Sequence, residues 1–218
     1  GDTTISFEYS SPDLKKLLND DDFIRDLKDS SDLGVFDFIS KMFDIIKNLR
    51  VIDKFVVKNE NSVYDIGEIF KKGKIFFNYT GISQISSLNT QSGEAQLFFS
   101  KDPLTPNGLV VLSHEIGHYK DALSKGKAGS LYKPEAVEKE SKLYEALDQE
   151  KHEPKLDRGT LEEAGEIRIS KERRAWAIAL VDIKPFIKDL GIDRDKLQKL
   201  IHGYGLQTHS DLIHRALD

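Results

Sequence analysis

The stretch that decides the fold lies at residues 109–123 and reads LVVLSHEIGHYKDAL. Thr105 and Pro106 precede it as a capping residue and a proline at the first helical position, so the sequence predicts a helix over residues 106–124. The first turns of this helix are almost wholly apolar, which predicts that it is buried.

Two histidines in this helix are spaced to bind one metal ion, in the pattern HExxH. His114 and His118 are four residues apart, so they lie nearly on one face of the helix, about one turn apart. Glu115 points aside towards a metal-bound water, whose proton a carboxylate can take as the water attacks a carbonyl carbon. The ion this pattern binds is zinc, which acidifies that water and polarises the carbonyl. A chance match is the alternative, but the apolar run would then bury these polar side chains without partners.

A third metal ligand must come from elsewhere in the chain, and the absence of cysteine restricts it to His, Asp or Glu. Glu172 is the leading candidate, because the small Ala175 three residues later lets its helix approach the motif helix closely. Glu166 and the Glu162-Glu163 pair are the competing candidates, in a charged stretch for which a solvated face is the ordinary explanation. The plain alternative for Glu172 is a surface carboxylate in the first turn of a helix, stabilised by the helix dipole.

Two further groups of polar residues are candidates for supporting roles. Asp121 lies one turn after His118. It either orients a metal ligand without binding the metal itself or is an ordinary exposed residue. His202, Tyr204 and His209 cluster near the end of the chain, where they either stabilise the transition state or belong to a turn between helices.

The rest of the chain predicts an α+β fold with helical parts on either side of a small sheet. Residues 3–9 predict a strand, residues 14–27 a helix begun by Pro12, and residues 35–49 a second helix. Between residues 51 and 102, short runs rich in β-branched and aromatic residues predict a small, mostly antiparallel sheet.

After the motif helix the sequence predicts further helices. Residues 124–160 are highly charged and rich in helix breakers, which favours a surface excursion with a helical stretch near 134–150. A helix is expected to begin after Ser170. Two more helices are expected near the end of the chain, separated by Gly191 and Gly203.

The composition excludes several classes of function. The formal net charge is −5, with acidic and basic residues interspersed, which argues against a nucleic-acid partner. The chain is 39% hydrophobic and 32% charged, and no window approaches the roughly 18 uninterrupted apolar residues of a membrane span. We therefore expect a soluble protein.

The segment from His114 to His118 resembles the zincin superfamily of metallopeptidases, and Glu172-x-x-Ala175 is similar to the gluzincin arrangement, in which a later helix supplies a Glu ligand. The metzincin pattern HExxHxxGxxH is not continued, because position 124 is Ser. In the aspzincin pattern GTxxD, Glu163 stands where the Asp would be. The long span between the motif and Glu172 resembles bacterial effector and toxin peptidases of the anthrax lethal factor type. The resemblance implies zinc, and a sheet packed on the motif helix with a mainly helical C-terminal part.

These observations predict a zinc metalloendopeptidase that acts on a protein or peptide substrate. We expect a monomer with one catalytic domain over residues 1–218, made of a helical part (1–50), the sheet and motif helix (51–125) and a second helical part (126–218). Arg173 or Arg174 is expected to be only a surface charge. The alternatives are a zinc amidase acting on small amides and a non-catalytic effector or toxin domain with a structural zinc. By analogy, we expect a secreted or injected bacterial protein.

Overall fold

A computed structural model describes residues 2–31, 33–78, 95–147 and 157–202. These residues combine one small sheet with many helices, which confirms the predicted α+β class. The chain forms two compact units, one from Gly1–Ile116 and Asp182–Gly191 and the other from Gly117–Val181 and Ile192–Asp218. Within the described ranges, no helix is both long and apolar enough to cross a membrane.

The first unit begins with the predicted strand and helices, with one difference. The residues from 14 to 27, predicted as a single helix, form two helices, because Asp20 caps the second one by accepting a hydrogen bond from the Phe23 backbone N–H at 3.0 Å. Asp13, rather than Pro12, is the residue that precedes and caps the first helix. The elements are β1 (Thr4–Ser10), α1 (Leu14–Leu18), α2 (Asp21–Ser30) and α3 (Val35–Asn48).

The sheet is mostly antiparallel, as predicted. Its strands follow the order β1-β2-β4-β5, and β3 pairs with β2 beside this path. Among the strand pairs of the described residues, only β4–β5 is parallel. The elements are β2 (Leu49–Lys58), β3 (Val63–Asp65), the short helix α4 (Ile66–Ile69), β4 (Lys74–Asn78) and β5 (Gln96–Phe99).

Two aromatic clusters cover the faces of the sheet, because successive side chains of a strand point to opposite sides. On one face, Phe76 stacks on Phe98 with ring centroids 5.4 Å apart and belongs to the buried cluster formed with α1, α2 and α3. On the other face, Phe77 contacts Phe7, whose ring also meets Phe55. The sheet is therefore buried on both faces near its centre.

The motif helix α5 extends over Pro106–Leu123, as predicted. Its first turn is held by Thr105, whose hydroxyl accepts a hydrogen bond from the Gly108 N–H at 3.0 Å. The apolar run Leu109–Leu112 and Ile116 are buried, which confirms the prediction that the first turns of this helix are buried. Ser113 of this helix and Tyr64 of β3 are both buried within the first unit.

The second unit is built from helices. The helix that carries Glu172 does not begin after Ser170, as predicted, but at Arg158, where Asp157 accepts a hydrogen bond from the Thr160 N–H at 3.0 Å. The helices that follow α5 are α6 (Lys127–Ser130), α7 (Pro134–Leu147), α8 (Arg158–Ile183) and α9 (Arg194–Ile201). A 3-10 turn at Lys184–Phe186, in the stretch that belongs to the first unit, separates the last two.

Candidate metal centre

Helix α5 carries three of the predicted site residues on consecutive turns. His114 is buried, with 3% of its surface exposed. The side chains of Glu115 and His118 keep 16% and 14% of their surface accessible. An apolar helix thus holds two imidazoles that are almost out of water, while the carboxylate between them remains within reach of a water molecule.

Helix α8 approaches the motif helix so closely that only glycine fits between them. A Cβ atom added to Gly117 would lie 2.3 Å from the carbonyl oxygen of Ala175 and 3.0 Å from its carbonyl carbon. The small Ala175 and the absent side chain of Gly117 therefore let the two backbones meet. This is the close approach that the sequence predicted from Ala175.

The close approach places Glu172 against His118. The Nε2 atom of His118 lies 3.2 Å from the Oε1 atom of Glu172, whose side chain is 6% exposed. One ligand atom from each of His114, His118 and Glu172 can be chosen so that all three lie within 4.8 Å of one another. The structure thus brings the three predicted ligands together.

The spacing of this group fits a zinc ion. Nitrogen and oxygen ligands at about 2.1 Å from a tetrahedral zinc lie about 3.4 Å from each other, close to the 3.2 Å between His118 Nε2 and Glu172 Oε1. A neutral imidazole nitrogen and a carboxylate are both ligand types that zinc accepts. Within the described ranges the group holds three such ligands, which leaves a fourth coordination position for water or substrate.

Tyr132, which the sequence analysis did not single out, joins the site from the turn before α7. Its hydroxyl donates a hydrogen bond to Asp121 Oδ2 at 3.0 Å. The oxygen of this hydroxyl also lies 3.0 Å from His118 Nδ1. Burial first, and the Asp121 carboxylate second, raise the pKa of Tyr132 above its usual range. The phenol therefore keeps its proton at neutral pH and acts as a donor to Asp121.

Asp121 is fully buried and is held from two sides. Its other oxygen, Oδ1, accepts a hydrogen bond from Arg174 Nε at 2.8 Å. Arg174 is exposed, as expected of a surface charge, and its guanidinium also pairs with a buried carboxylate one turn after a metal-ligand candidate. Arg173 is exposed, as predicted.

A second buried carboxylate ties α7 to the helix that carries Glu172. Glu140 accepts hydrogen bonds from Arg168 and Lys171 and is 5% exposed. Burial alone would raise the pKa of Glu140, but the two cations outweigh it and hold this pKa below its usual value. The segment predicted as a surface excursion therefore also contributes a buried ion pair and, through Tyr132, a contact to His118.

The other described site candidates, Glu163, Glu166 and His202, are not part of this group. Glu163 is exposed and forms an ion pair with Lys139 at 3.0 Å, and Glu166 is exposed on the same helix. His202 is exposed at the end of α9. Tyr204 and His209 lie outside the described residues.

Comparison with known families agrees with this geometry. Residues 37–120 match the family model described as metallo-peptidase family M12B, reprolysin-like. The resemblance to the zincin metallopeptidases is confirmed. At the family level, this match supports a zinc-dependent metallopeptidase. The match spans less than half of the zincin-like chain and ends two residues after His118, so it includes the motif but not Glu172.

Two further comparisons add no relatives. A search of curated proteins and a search of solved structures each found no significant match to the zincin-like chain.

Proposed function

We propose that the chain is a metalloendopeptidase that hydrolyses peptide bonds within a protein or peptide substrate. The observation that carries the proposal is the contact between Nε2 of His118, the last residue of the HExxH segment, and Oε1 of the buried Glu172, 3.2 Å away. Both atoms can act as electron-pair donors to one cation, and His114 adds a third donor from the preceding turn of the same helix.

The roles of the side chains follow from their positions. His114, His118 and Glu172 would hold the ion, which supplies a Lewis acid that acidifies a water molecule and polarises the scissile carbonyl. Glu115 follows His114 directly, so its carboxylate can take a proton from the attacking water. The same carboxylate, once protonated, can deliver that proton to the nitrogen of the leaving amine.

The number of protein ligands favours a catalytic zinc over a structural one. Structural zinc sites are closed by four protein ligands, whereas catalytic sites keep one position open. Within the described part of the chain, three potential ligands form the group.

The sheet favours an extended peptide over a small amide as the substrate. Within the described ranges, β5 pairs with β4 on one side only. The other side of such a strand can bind an extended peptide through main-chain hydrogen bonds. This feature lies in the same compact unit as Glu115 and favours a peptide substrate. The assignments to a monomer and to a secreted or injected bacterial protein remain predictions from the sequence.

The proposal can be tested with zinc-loaded protein and a library of unstructured peptides, with the products analysed by mass spectrometry. We expect cleavage at internal peptide bonds. Glu115→Gln should bind an equal amount of zinc but cleave about 10²- to 10⁴-fold more slowly, because it lacks the general base. Glu163→Gln, an exposed change of the same kind, is the matched control and should cleave like the wild type.

Two outcomes would contradict the proposal. Cleavage restricted to small amides, with no peptide of the library cut, would favour the amidase. A zinc-loaded wild type that cleaves neither kind of substrate would favour the non-catalytic domain.

A further inference from the structure

We propose that Tyr132 is a positioning residue that couples Asp121 to His118 and so fixes the imidazole of His118 for zinc. This inference rests on the proposed function, because it concerns the same metal ligand. It adds a residue that is neither part of the HExxH segment nor close to it in sequence.

The first step is a count of hydrogen atoms along the chain of contacts. The phenol of Tyr132 has one hydrogen, which it donates to Asp121 Oδ2 at 3.0 Å. Its oxygen can then only accept from the His118 Nδ1 atom, also 3.0 Å away, so Nδ1 carries a proton. The lone pair of the neutral ring is therefore on Nε2, the atom that faces Glu172.

The second step concerns what holds the phenol in place. Gly126 adopts the left-handed conformation, with φ of 85°, and begins the turn that reverses the chain after α5. A Cβ atom on Gly129 would lie 2.1 Å from the Ser124 carbonyl oxygen, so α6 packs tightly against the end of α5. From the other side, the Lys171 ammonium lies 4.8 Å from the centre of the Tyr132 ring.

The third step concerns the far end of the relay. Asp121 is fully buried, and Arg174 donates to its second oxygen at 2.8 Å. A carboxylate bonded at both oxygens cannot rotate freely, so it holds the Tyr132 hydroxyl in one direction. Arg174, Asp121, Tyr132 and His118 thus form a continuous hydrogen-bonded chain that ends at a metal ligand. Partners of this kind orient a metal-binding imidazole and typically contribute 10- to 100-fold to metal affinity.

The relay can be tested by measuring zinc affinity in competition with a chromophoric chelator. Tyr132→Phe removes the hydroxyl but keeps the ring over which Lys171 lies, and it should bind zinc about 10- to 100-fold more weakly than the wild type. Tyr9→Phe, the same change at an exposed strand residue, should leave the zinc affinity unchanged. Asp121→Asn should weaken binding in the same direction. The double variant should then show less than the product of the two single effects, because both remove one relay.

A second readout distinguishes positioning from a general structural effect. In zinc-loaded wild type, the Nδ1 proton of His118 should exchange slowly with water in ¹⁵N NMR spectra, and in Tyr132→Phe it should exchange fast. The metal-free forms of both proteins should unfold at similar temperatures. If Asp121→Asn fails to fold, the zinc affinity and the proton exchange of Tyr132→Phe still show whether Tyr132 positions His118.

The outcomes separate the relay from the proposed function. Wild-type zinc affinity and slow exchange in Tyr132→Phe would overturn the relay and leave the zinc site intact. Weaker zinc binding by Tyr132→Phe with fully multiplicative effects in the double variant would also overturn it, because the two residues would then act separately. A wild type that binds no zinc would remove the proposed function and the relay together.

Discussion

Replacing Gly117 by Ala tests whether the contact between α5 and α8 assembles the metal centre. An added Cβ would lie 2.3 Å from the Ala175 carbonyl oxygen, so the two helices must separate by about 1 Å to reach an ordinary contact distance. Ala would stabilise a helix by about 1 kcal/mol relative to Gly. Overpacking of this kind costs about 1–3 kcal/mol, and more where backbone must move. We therefore expect a net loss of up to about 2 kcal/mol, or up to roughly 8 °C in melting temperature.

The same substitution should also weaken zinc binding. Glu172 lies one turn before Ala175, so a displacement of α8 carries its carboxylate away from His118, which is now 3.2 Å distant. Zinc sites tolerate deviations of about 0.2 Å in ligand distance, so a shift of about 1 Å should reduce zinc affinity by at least tenfold.

The assays are thermal unfolding of the metal-free protein and a chelator competition for zinc. Gly67→Ala is the matched control, because its added Cβ would meet the Asp65 side chain at an ordinary 3.5 Å. It should leave zinc affinity unchanged and should not lower the melting temperature. A Gly117→Ala variant that melts higher than the wild type and keeps its zinc affinity would refute the argument from close approach.

Three further predictions concern stability. The pKa of Glu140 is lower in the folded than in the unfolded chain, so its stabilisation is complete above its ordinary value of 4.5 and disappears as the pH falls through the folded value. Urea unfolding at pH 7 and pH 3 should therefore show a smaller loss for Glu140→Gln than for the wild type, and an equal loss would contradict this. Asp20→Ala should cost about 1 kcal/mol by removing the cap of α2, measured by urea unfolding at neutral pH, whereas Asp21→Ala should cost less. Zinc at 100 times its dissociation constant should stabilise the folded protein by about 2.7 kcal/mol, and a chelator should reverse the increase in melting temperature.

The parts of the site that the sequence predicted are those encoded locally. His114, Glu115 and His118 share one helix, so their geometry follows from helical periodicity alone. Glu172 was found because a small residue three positions later is typical of a close helix–helix contact. That contact also depends on Gly117. Gly117 occupies a variable position of HExxH, so the motif does not indicate its role in packing.

The parts that the sequence did not predict depend on tertiary contacts. Tyr132 reaches His118 only because the turn at Gly126 reverses the chain, and no spacing rule marks such a contact. Arg174 resembles any other exposed helical arginine until its buried partner Asp121 is known. Ser170 was taken as a helix start because serine is common in capping positions, but here a longer helix continues through it.

The most direct test of the account is the zinc content of protein purified without added metal, measured by elemental mass spectrometry. We predict about one zinc per chain in the wild type and little zinc in Glu172→Ala. The control Glu163→Ala, which removes a carboxylate that pairs with Lys139, should also contain about one zinc. A wild type that contains no zinc, even after zinc is supplied, would contradict the central claim. Zinc retained by Glu172→Ala and lost by Glu163→Ala would place the third ligand elsewhere on α8.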